Sequence, residues 1–189
     1  INYDKKFVPS YTINERTRSY LKIQDGCDYT CSFCTIPLAR GKSRSETIAN
    51  TVKIAKNISR SDSREIVLTG VNVGDFGKDS KETLFDLVQQ LDLLKDIDRF
   101  RISSIEPNLL TNDIIEFSST SKKFMPHFHI PLQSGSDKIL SKMRRRYTSD
   151  LFKDRVLEIK SKIPHASIGV DVIVGFPTET DADFLTTYN

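Results

Sequence analysis

Tyr20-Leu21-Lys22-Ile23-Gln24-Asp25-Gly26-Cys27-Asp28-Tyr29-Thr30-Cys31-Ser32-Phe33-Cys34 runs from an alternating apolar and polar stretch, across an Asp-Gly break, into a loop that holds every cysteine of the chain. Period-two alternation predicts a first strand over 20–23, ended by Asp25-Gly26. Behind the loop, Ile48, Val52, Ile54, Ala55 and Ile58 recur at helical spacing, with Ser45 and Thr47 as candidate caps. Strand, cysteine loop and helix make one β/α unit. Cys27, Cys31 and Cys34 stand at C-x3-C-x2-C spacing. Three such thiolates can hold three irons of a [4Fe-4S] cluster and leave the fourth iron open for chemistry. A closed zinc site would need a fourth ligand, for which Asp28, His127 and His129 are the candidates.

The same plan continues to the end of the chain. Glu65-Ile66-Val67-Leu68-Thr69 is an apolar run of the buried parallel-strand type, ending at Gly70 and a loop that reaches Gly77. A helix follows through Leu84, Leu87, Val88, Leu91 and Leu94. Further strands are predicted over 99–103, 127–131 and 168–174. Further helices are predicted over 112–117, started by Thr111 or Asn112, over 150–160, capped by Ser149 or Asp150, and from Glu179 onward. About five β/α units result, an α/β fold whose right-handed crossovers wind either a curved open sheet or a barrel. Ligands of such folds gather at the C-terminal ends of the strands. There stand the cysteine loop, Gly70-Val71-Asn72-Val73-Gly74, Ser104-Ile105-Glu106-Pro107, Gln133-Ser134-Gly135 and Gly175-Phe176-Pro177-Thr178-Glu179. His127 and His129, at period two, share one side of their strand and are expected to face the interior as structural groups.

With 189 residues, 38% hydrophobic and 28% charged, the composition fits one soluble core. No apolar run approaches the roughly 20 residues of a membrane helix, and residues 1–6 do not resemble a secretory signal. The chain begins without methionine and ends inside a predicted helix, which points to a piece of a longer protein: a linker over 1–15 and a core domain over 16–189. Three clustered cysteines cannot all pair, which fits a reducing cytoplasm. The net charge of +3 is mild, but Arg40, Lys42 and Arg44 follow the cysteines and Lys142, Arg144, Arg145 and Arg146 form a second cluster. Such runs read either as solvated surface or as contacts for an anionic partner.

Cys27-x3-Cys31-x-Phe33-Cys34 after a first strand resembles the radical S-adenosylmethionine (SAM) superfamily, whose motif also carries an aromatic residue before the third cysteine. Arg16-Thr17-Arg18, residues 21–27, residues 36–45, His129-Ile130-Pro131-Leu132-Gln133-Ser134-Gly135-Ser136 and residues 171–177 are similar to the methylthiotransferases within it. Residues 103–107 and Met143-Arg144-Arg145-Arg146-Tyr147-Thr148 most resemble the branch that methylthiolates N6-threonylcarbamoyladenosine at position 37 of tRNA.

The resemblance implies a partial TIM barrel of the (β/α)6 type. It also implies a [4Fe-4S] cluster on Cys27, Cys31 and Cys34, to which SAM binds and is cleaved to a 5′-deoxyadenosyl radical. Phe33 is expected to shield the site and stack on adenine. Gly70, Asn72, Glu106, Gln133, Ser134, Asp171 and Gly175 are the remaining candidates for contacts to SAM, each with a plainer reading as a turn or loop-capping residue. Asn72 departs from the carboxylate common at its position. Arg40, Lys42, Arg44, Arg144, Arg145 and Arg146 become candidates for tRNA phosphates, and Arg146 alternatively for the SAM carboxylate. By the same resemblance, the whole enzyme would carry an auxiliary [4Fe-4S] cluster in an N-terminal domain and an RNA-binding domain at its C-terminus. It would take electrons from a donor such as flavodoxin or ferredoxin and work as a monomer. The alternatives are a methylthiotransferase acting on isopentenyladenosine of tRNA or on an aspartate of a ribosomal protein, and a non-catalytic metal or RNA-binding module.

Overall fold

Five strands run parallel through residues 6–12 and 17–189, which the computed structural model describes, and each hands the chain to a helix outside it. Arg16 of the resemblance, and residues 1–5 and 13–15 of the expected linker, lie outside the described residues. Within that linker stretch, β1 (Ser10–Tyr11) pairs antiparallel with the edge of β2 (Arg18–Lys22). A short β3 (Gln24–Asp25) leads into the cysteine loop, which contains α1 (Ile36–Arg40) and returns through β4 (Arg44–Ser45). Then follow α2 (Ile48–Ile58), β5 (Glu65–Thr69), a 3-10 turn at Val73–Asp75, α3 (Leu84–Asp92), β6 (Arg99–Ile102) and α4 (Asn112–Thr120). The chain closes with β7 (His127–His129), α5 (Asp137–Lys142), α6 (Ser149–Lys162), β8 (Ser167–Gly169) and α7 (Asp181–Tyr188).

Strands β2, β5 and β6 pair parallel, as do β7 and β8. A parallel bridge between Ser104 and His129, with the Ile105 amide donating to the His129 carbonyl at 3.0 Å, joins the two groups into one curved sheet. The result is the expected partial barrel. Leu21, Ile66, Leu68, Phe100, Ile102 and Phe128 face the helices and form the core with Ile58, Leu87, Leu91, Ile115 and Ile159. Alternation then turns the other face inward, and it is polar: Lys22, Arg101, His127 and His129. Helices α2, α3, α4, α6 and α7 each start at a threonine, at positions 47, 83, 111, 148 and 180, whose hydroxyl accepts an amide of the first turn. Such a cap contributes about 1 kcal/mol. Thr148, rather than Ser149 or Asp150, caps α6: its backbone is extended and its hydroxyl accepts the Leu151 amide at 3.3 Å.

The last two strands are shorter than expected. Pro131 lacks the amide that would continue the β7 ladder, and Gln133 adopts a left-handed φ of 63°. Pairing resumes only as a bridge between Gln133 and Val172. At the opposite ends of the strands, Glu65 is buried and holds Arg18 (3.2 Å), Arg99 (3.4 Å) and Arg101 (3.0 Å) from its two neighbouring strands.

The cysteine loop is closed at a narrow neck. There β3 and β4 pair antiparallel, Gln24 with Ser45 and Asp25 with Arg44. Gln24 is fully buried. Its Nε2 donates to the Gly26 carbonyl (2.7 Å) and to Ser43 Oγ (3.0 Å), and its Oε1 accepts the Asn72 amide (2.8 Å). One side chain thus ties both sides of the neck to the loop after β5. Asp25 beside it accepts from the Gly26 amide (2.9 Å), Lys22 (3.4 Å), Arg40 (3.3 Å) and Arg44 (3.2 Å). Gly26 has a φ of 72°, and a Cβ there would strike the Lys42 carbonyl.

Replacing Glu65 with Gln is expected to lower unfolding free energy by about 1–3 kcal/mol in a denaturant titration, the range for a lost charged hydrogen bond. Gln24→Leu strands the Asn72 amide and opens the neck; protease cleavage within residues 26–43 is expected to rise at a temperature where the rest of the chain stays folded. Burial pushes the Asp25 carboxyl up, but the Gly26 amide and the charges of Lys22, Arg44 and Arg40 outweigh it and hold it below its ordinary value. Its folded pKa being below the unfolded one, its contribution is full at neutral pH and is lost as pH falls below about 4. Asp25→Asn is therefore expected to cost stability at about pH 7 and to lose less than wild type on acidification.

Candidate functional site

The cysteine loop lies at the C-terminal edge of the parallel strands and is fastened at its tip as well as its neck. The Ser32 amide donates to the Met143 carbonyl (3.1 Å) and its hydroxyl to the Lys142 carbonyl (3.0 Å), both at the end of α5. The Cys27 amide donates to the Gly41 carbonyl at 3.1 Å, and that of Cys34 to the Cys31 carbonyl at 3.1 Å. All three cysteines are free thiols. Burial pushes the Cys27 thiol up, and the charges that Asp75, Cys31 and Cys34 would carry push it further, against the Tyr29 amide. Burial also raises Cys31, opposed by the guanidinium of Arg145, whose Nη1 donates to Cys31 Sγ at 3.3 Å.

Among the described residues no three His, Cys, Asp or Glu side chains converge on a point that would hold a single metal ion. A cluster that takes one thiolate per iron has no need of such convergence. Three free thiols on one loop, one of them facing a cationic donor, are a donor set that suits it. Two of the three candidates for a closing zinc ligand are otherwise engaged, Asp28 with Lys78 (2.8 Å) and the Ser43 amide (3.0 Å) and His129 with Asp171 (3.2 Å), while His127 keeps a buried Nδ1 without a partner among the described residues.

The rim residues fall into three groups. Asn72 is buried, its Nδ2 donates to Asp75 Oδ2 at 3.1 Å, and its buried Oδ1 has no partner among the described residues. Phe33 is exposed on the loop, and Asp171 is an exposed carboxylate beside His129. The Gln133 amide donates to the Asp171 carbonyl at 2.8 Å, and Gly175 has a φ of 77° with open space around it. These residues lie in the segments that follow β3, β5, β7 and β8. Gly70, by contrast, is there for packing: a Cβ would lie 2.9 Å from Gln24 Oε1. Ser134 is turned away from the rim, since it is fully buried and shares its hydroxyl with Thr187 at 3.3 Å, while the Gly135 amide donates to the same Thr187 at 2.9 Å. That stretch seats α7. Glu106 is buried against Arg145, burial pushing its carboxyl up and the guanidinium pulling it down.

The basic residues also separate. Arg40 and Arg44 pair with Asp25, although Arg40 remains about half exposed, and Arg145 is buried with no face to offer an outside phosphate. Lys42, Arg144 and Arg146 are exposed. Arg146 lies over the ring of Tyr29 at 4.0 Å and donates to the Asp28 carbonyl at 3.3 Å. Next to it a cleft of about 600 Å³ opens between the loops after β5 and β6, lined among others by Tyr29, Asp75, Phe85, Asn108 and Arg146. Asn108 donates to Tyr29 Oη at 2.9 Å and keeps a buried Oδ1 without a partner among the described residues.

Sequence reasoning missed Gln24, Asp25, Asn108 and Tyr147. Asp25 was readable, because it falls in phase with Leu21 and Ile23 on the core-facing side, where a carboxylate demands partners. The others carry no local signal, since their partners lie far along the chain.

A family model described as the Radical SAM superfamily matches residues 21–189. Over 99% of its length the chain is 44% identical to the threonylcarbamoyladenosine tRNA methylthiotransferase MtaB of Bacillus subtilis, and over 92% it is 40% identical to that of Aquifex aeolicus. A tRNA-2-methylthio-N(6)-dimethylallyladenosine synthase from a Ruegeria species is 37% identical over 89% of the chain. The chain spans 42% of the length of each of the first two relatives. Among solved structures, the cobalamin-dependent S-adenosylmethionine radical enzyme OxsB superposes on 89% of the chain with a TM-score of 0.72 at 14% identity, covering 25% of OxsB. The radical S-adenosylmethionine methyltransferase TsrM of Kitasatospora setae superposes on 87% with a TM-score of 0.68 at 15% identity, covering 32% of TsrM. With the family match spanning β2 to α7 and its three cysteines on the loop that follows the first barrel strand, this chain belongs to the radical SAM superfamily.

Proposed function

We propose that the chain is the SAM-cleaving domain of a tRNA methylthiotransferase acting on N6-threonylcarbamoyladenosine at position 37. The 44% identity to the MtaB enzyme over nearly the whole chain carries the substrate assignment. The clasped cysteine loop at the mouth of the partial barrel supports the chemistry. Cys27, Cys31 and Cys34 would hold a [4Fe-4S] cluster, which when bound supplies a low-potential electron and an open iron for reductive cleavage of SAM.

The chain's own side chains then have definable tasks. Asn72 Oδ1, without a partner among the described residues, would accept from a substrate ammonium, a neutral acceptor where a charge would otherwise stand. Phe33 covers the loop from water and offers a face to a purine. Gln133, Asp171 and Gly175 present a carboxylate and backbone groups on the opposite side of the mouth. Lys42, Arg144 and Arg146, with the exposed part of Arg40, form the cationic rim that would position tRNA phosphates, while the base enters the mouth. The N–H and Oδ1 groups of Asn108 and the ring of Tyr29 give the adjoining cleft the groups to receive an extruded base or its substituent. Within the whole protein, a flavodoxin or ferredoxin would be the electron donor and a separate auxiliary cluster the site of sulfur chemistry.

Anaerobic reconstitution of the chain with iron and sulfide is expected to give about four irons per chain and SAM cleavage under dithionite, both abolished by Cys31→Ala. Failure of wild type to bind iron overturns the reading. Mass spectrometry of tRNA nucleosides from a deletion strain is expected to show loss of the 2-methylthio form of threonylcarbamoyladenosine. Loss of the dimethylallyl product instead would transfer the assignment to the other tRNA branch.

A further inference from the structure

We infer that Arg145 is a positioning residue for Cys31: its buried guanidinium, fixed by Glu106 and Tyr147, donates a hydrogen bond to the Cys31 sulfur and raises the reduction potential of the cluster that this sulfur ligates. The inference rests on the cluster assignment above and concerns this chain's own side chains toward it.

In the sequence Arg144, Arg145 and Arg146 are one basic run, but the fold separates them. Helix α5 ends with Arg144 in a left-handed conformation at φ 59°, the Arg144 amide donating to the Ser141 carbonyl and the Arg145 amide to the Leu140 carbonyl, each at 3.0 Å. That turn sends Arg145 inward while its two neighbours face solvent, and the Arg145 side chain is only 5% exposed. The same helix end receives Ser32 on the Lys142 and Met143 carbonyls. Cys31 is therefore pinned, one residue away, to the element that carries Arg145. Their contact is fixed from both sides.

Each nitrogen of the guanidinium's planar fork has a partner. Nη2 pairs with Glu106 Oε2, Nε donates to Tyr147 Oη at 3.2 Å, and Nη1 reaches Cys31 Sγ at 3.3 Å. The guanidinium carbon also lies 5.0 Å from the centre of the Tyr147 ring. Tyr147 is itself anchored, donating to the carbonyls of Pro131 (2.7 Å) and Leu132 (3.0 Å) beyond β7. A rigid path thus runs from the strand end through Tyr147 and Arg145 to the thiol. Glu106 alone would satisfy the charge of a structural arginine. The third donor instead faces a sulfur, an acceptor that becomes strong only as a thiolate. Hydrogen bonds and positive charge at a ligating sulfur stabilise the more electron-rich, reduced cluster, and so raise its potential.

The test compares wild type with Arg145→Gln, Arg145→Lys and Tyr147→Phe, each reconstituted anaerobically and titrated by electron paramagnetic resonance without SAM. All four are expected to bind the same iron. Arg145→Gln is expected to shift the midpoint potential negative and alter the line shape, Arg145→Lys to recover much of the shift, and Tyr147→Phe to shift it less in the same direction. If Arg145→Gln does not fold by circular dichroism, Tyr147→Phe, which keeps both charges and the ring, decides. Wild-type potential and line shape in every folded variant overturn the role of Arg145. A wild-type chain that binds no iron overturns the cluster assignment itself, a distinct result.

Discussion

The buried amide of Gln24 is the contact on which the site depends. It spans the neck of the cysteine loop and reaches across to the Asn72 amide, so that the loop after β2 and the loop after β5 share one side chain. Of the apolar side chains in the loop from residue 26 to residue 43 only Tyr29 and Cys31 are buried, and closing the loop costs chain entropy. Two short strands and a few hydrogen bonds supply the closure, and the apolar core stays on the other face of the sheet. The cysteines are thereby held by polar contacts above a hydrophobic scaffold, an arrangement in which ordering of the loop and ligation by its thiols reinforce one another.

Charge is placed with the same economy. Asp25 gathers Lys22, Arg40 and Arg44 at the neck, Glu65 gathers Arg18, Arg99 and Arg101 at the far end of the strands, and Glu106 holds Arg145 beneath the loop. In each group the cations compensate a carboxylate whose burial would otherwise be costly. Basic residues left over from these pairings, Lys42, Arg144 and Arg146, lie at the rim. A modest net charge of +3 thus conceals a local cationic surface next to the mouth.

Much of this was legible beforehand. The parallel strand at Glu65–Thr69 reads directly from its apolar run, and the helices from their periodicity, because both patterns are local consequences of burial on one face. Short elements such as α1, α5 and the β3–β4 ribbon were not legible, since a helix of five or six residues is stabilised by what it packs on rather than by its own sequence. The rim was read correctly as a set of loops but unevenly as individual residues. Ser134 sits in a rim loop by position, yet its hydroxyl goes to Thr187, fifty-three residues away.

By itself the sequence determined the alternation of strands and helices and the three-thiol donor set, both properties of spacing along a chain whose side chains point in directions set by secondary structure. Only the tertiary structure decided which charged groups are buried. Arg144, Arg145 and Arg146 are chemically alike and adjacent, and a single left-handed residue at the end of α5 sends one toward Cys31 and two toward solvent. That choice depends on where the carbonyls of a helix end meet a loop more than a hundred residues earlier, a distance no local pattern spans.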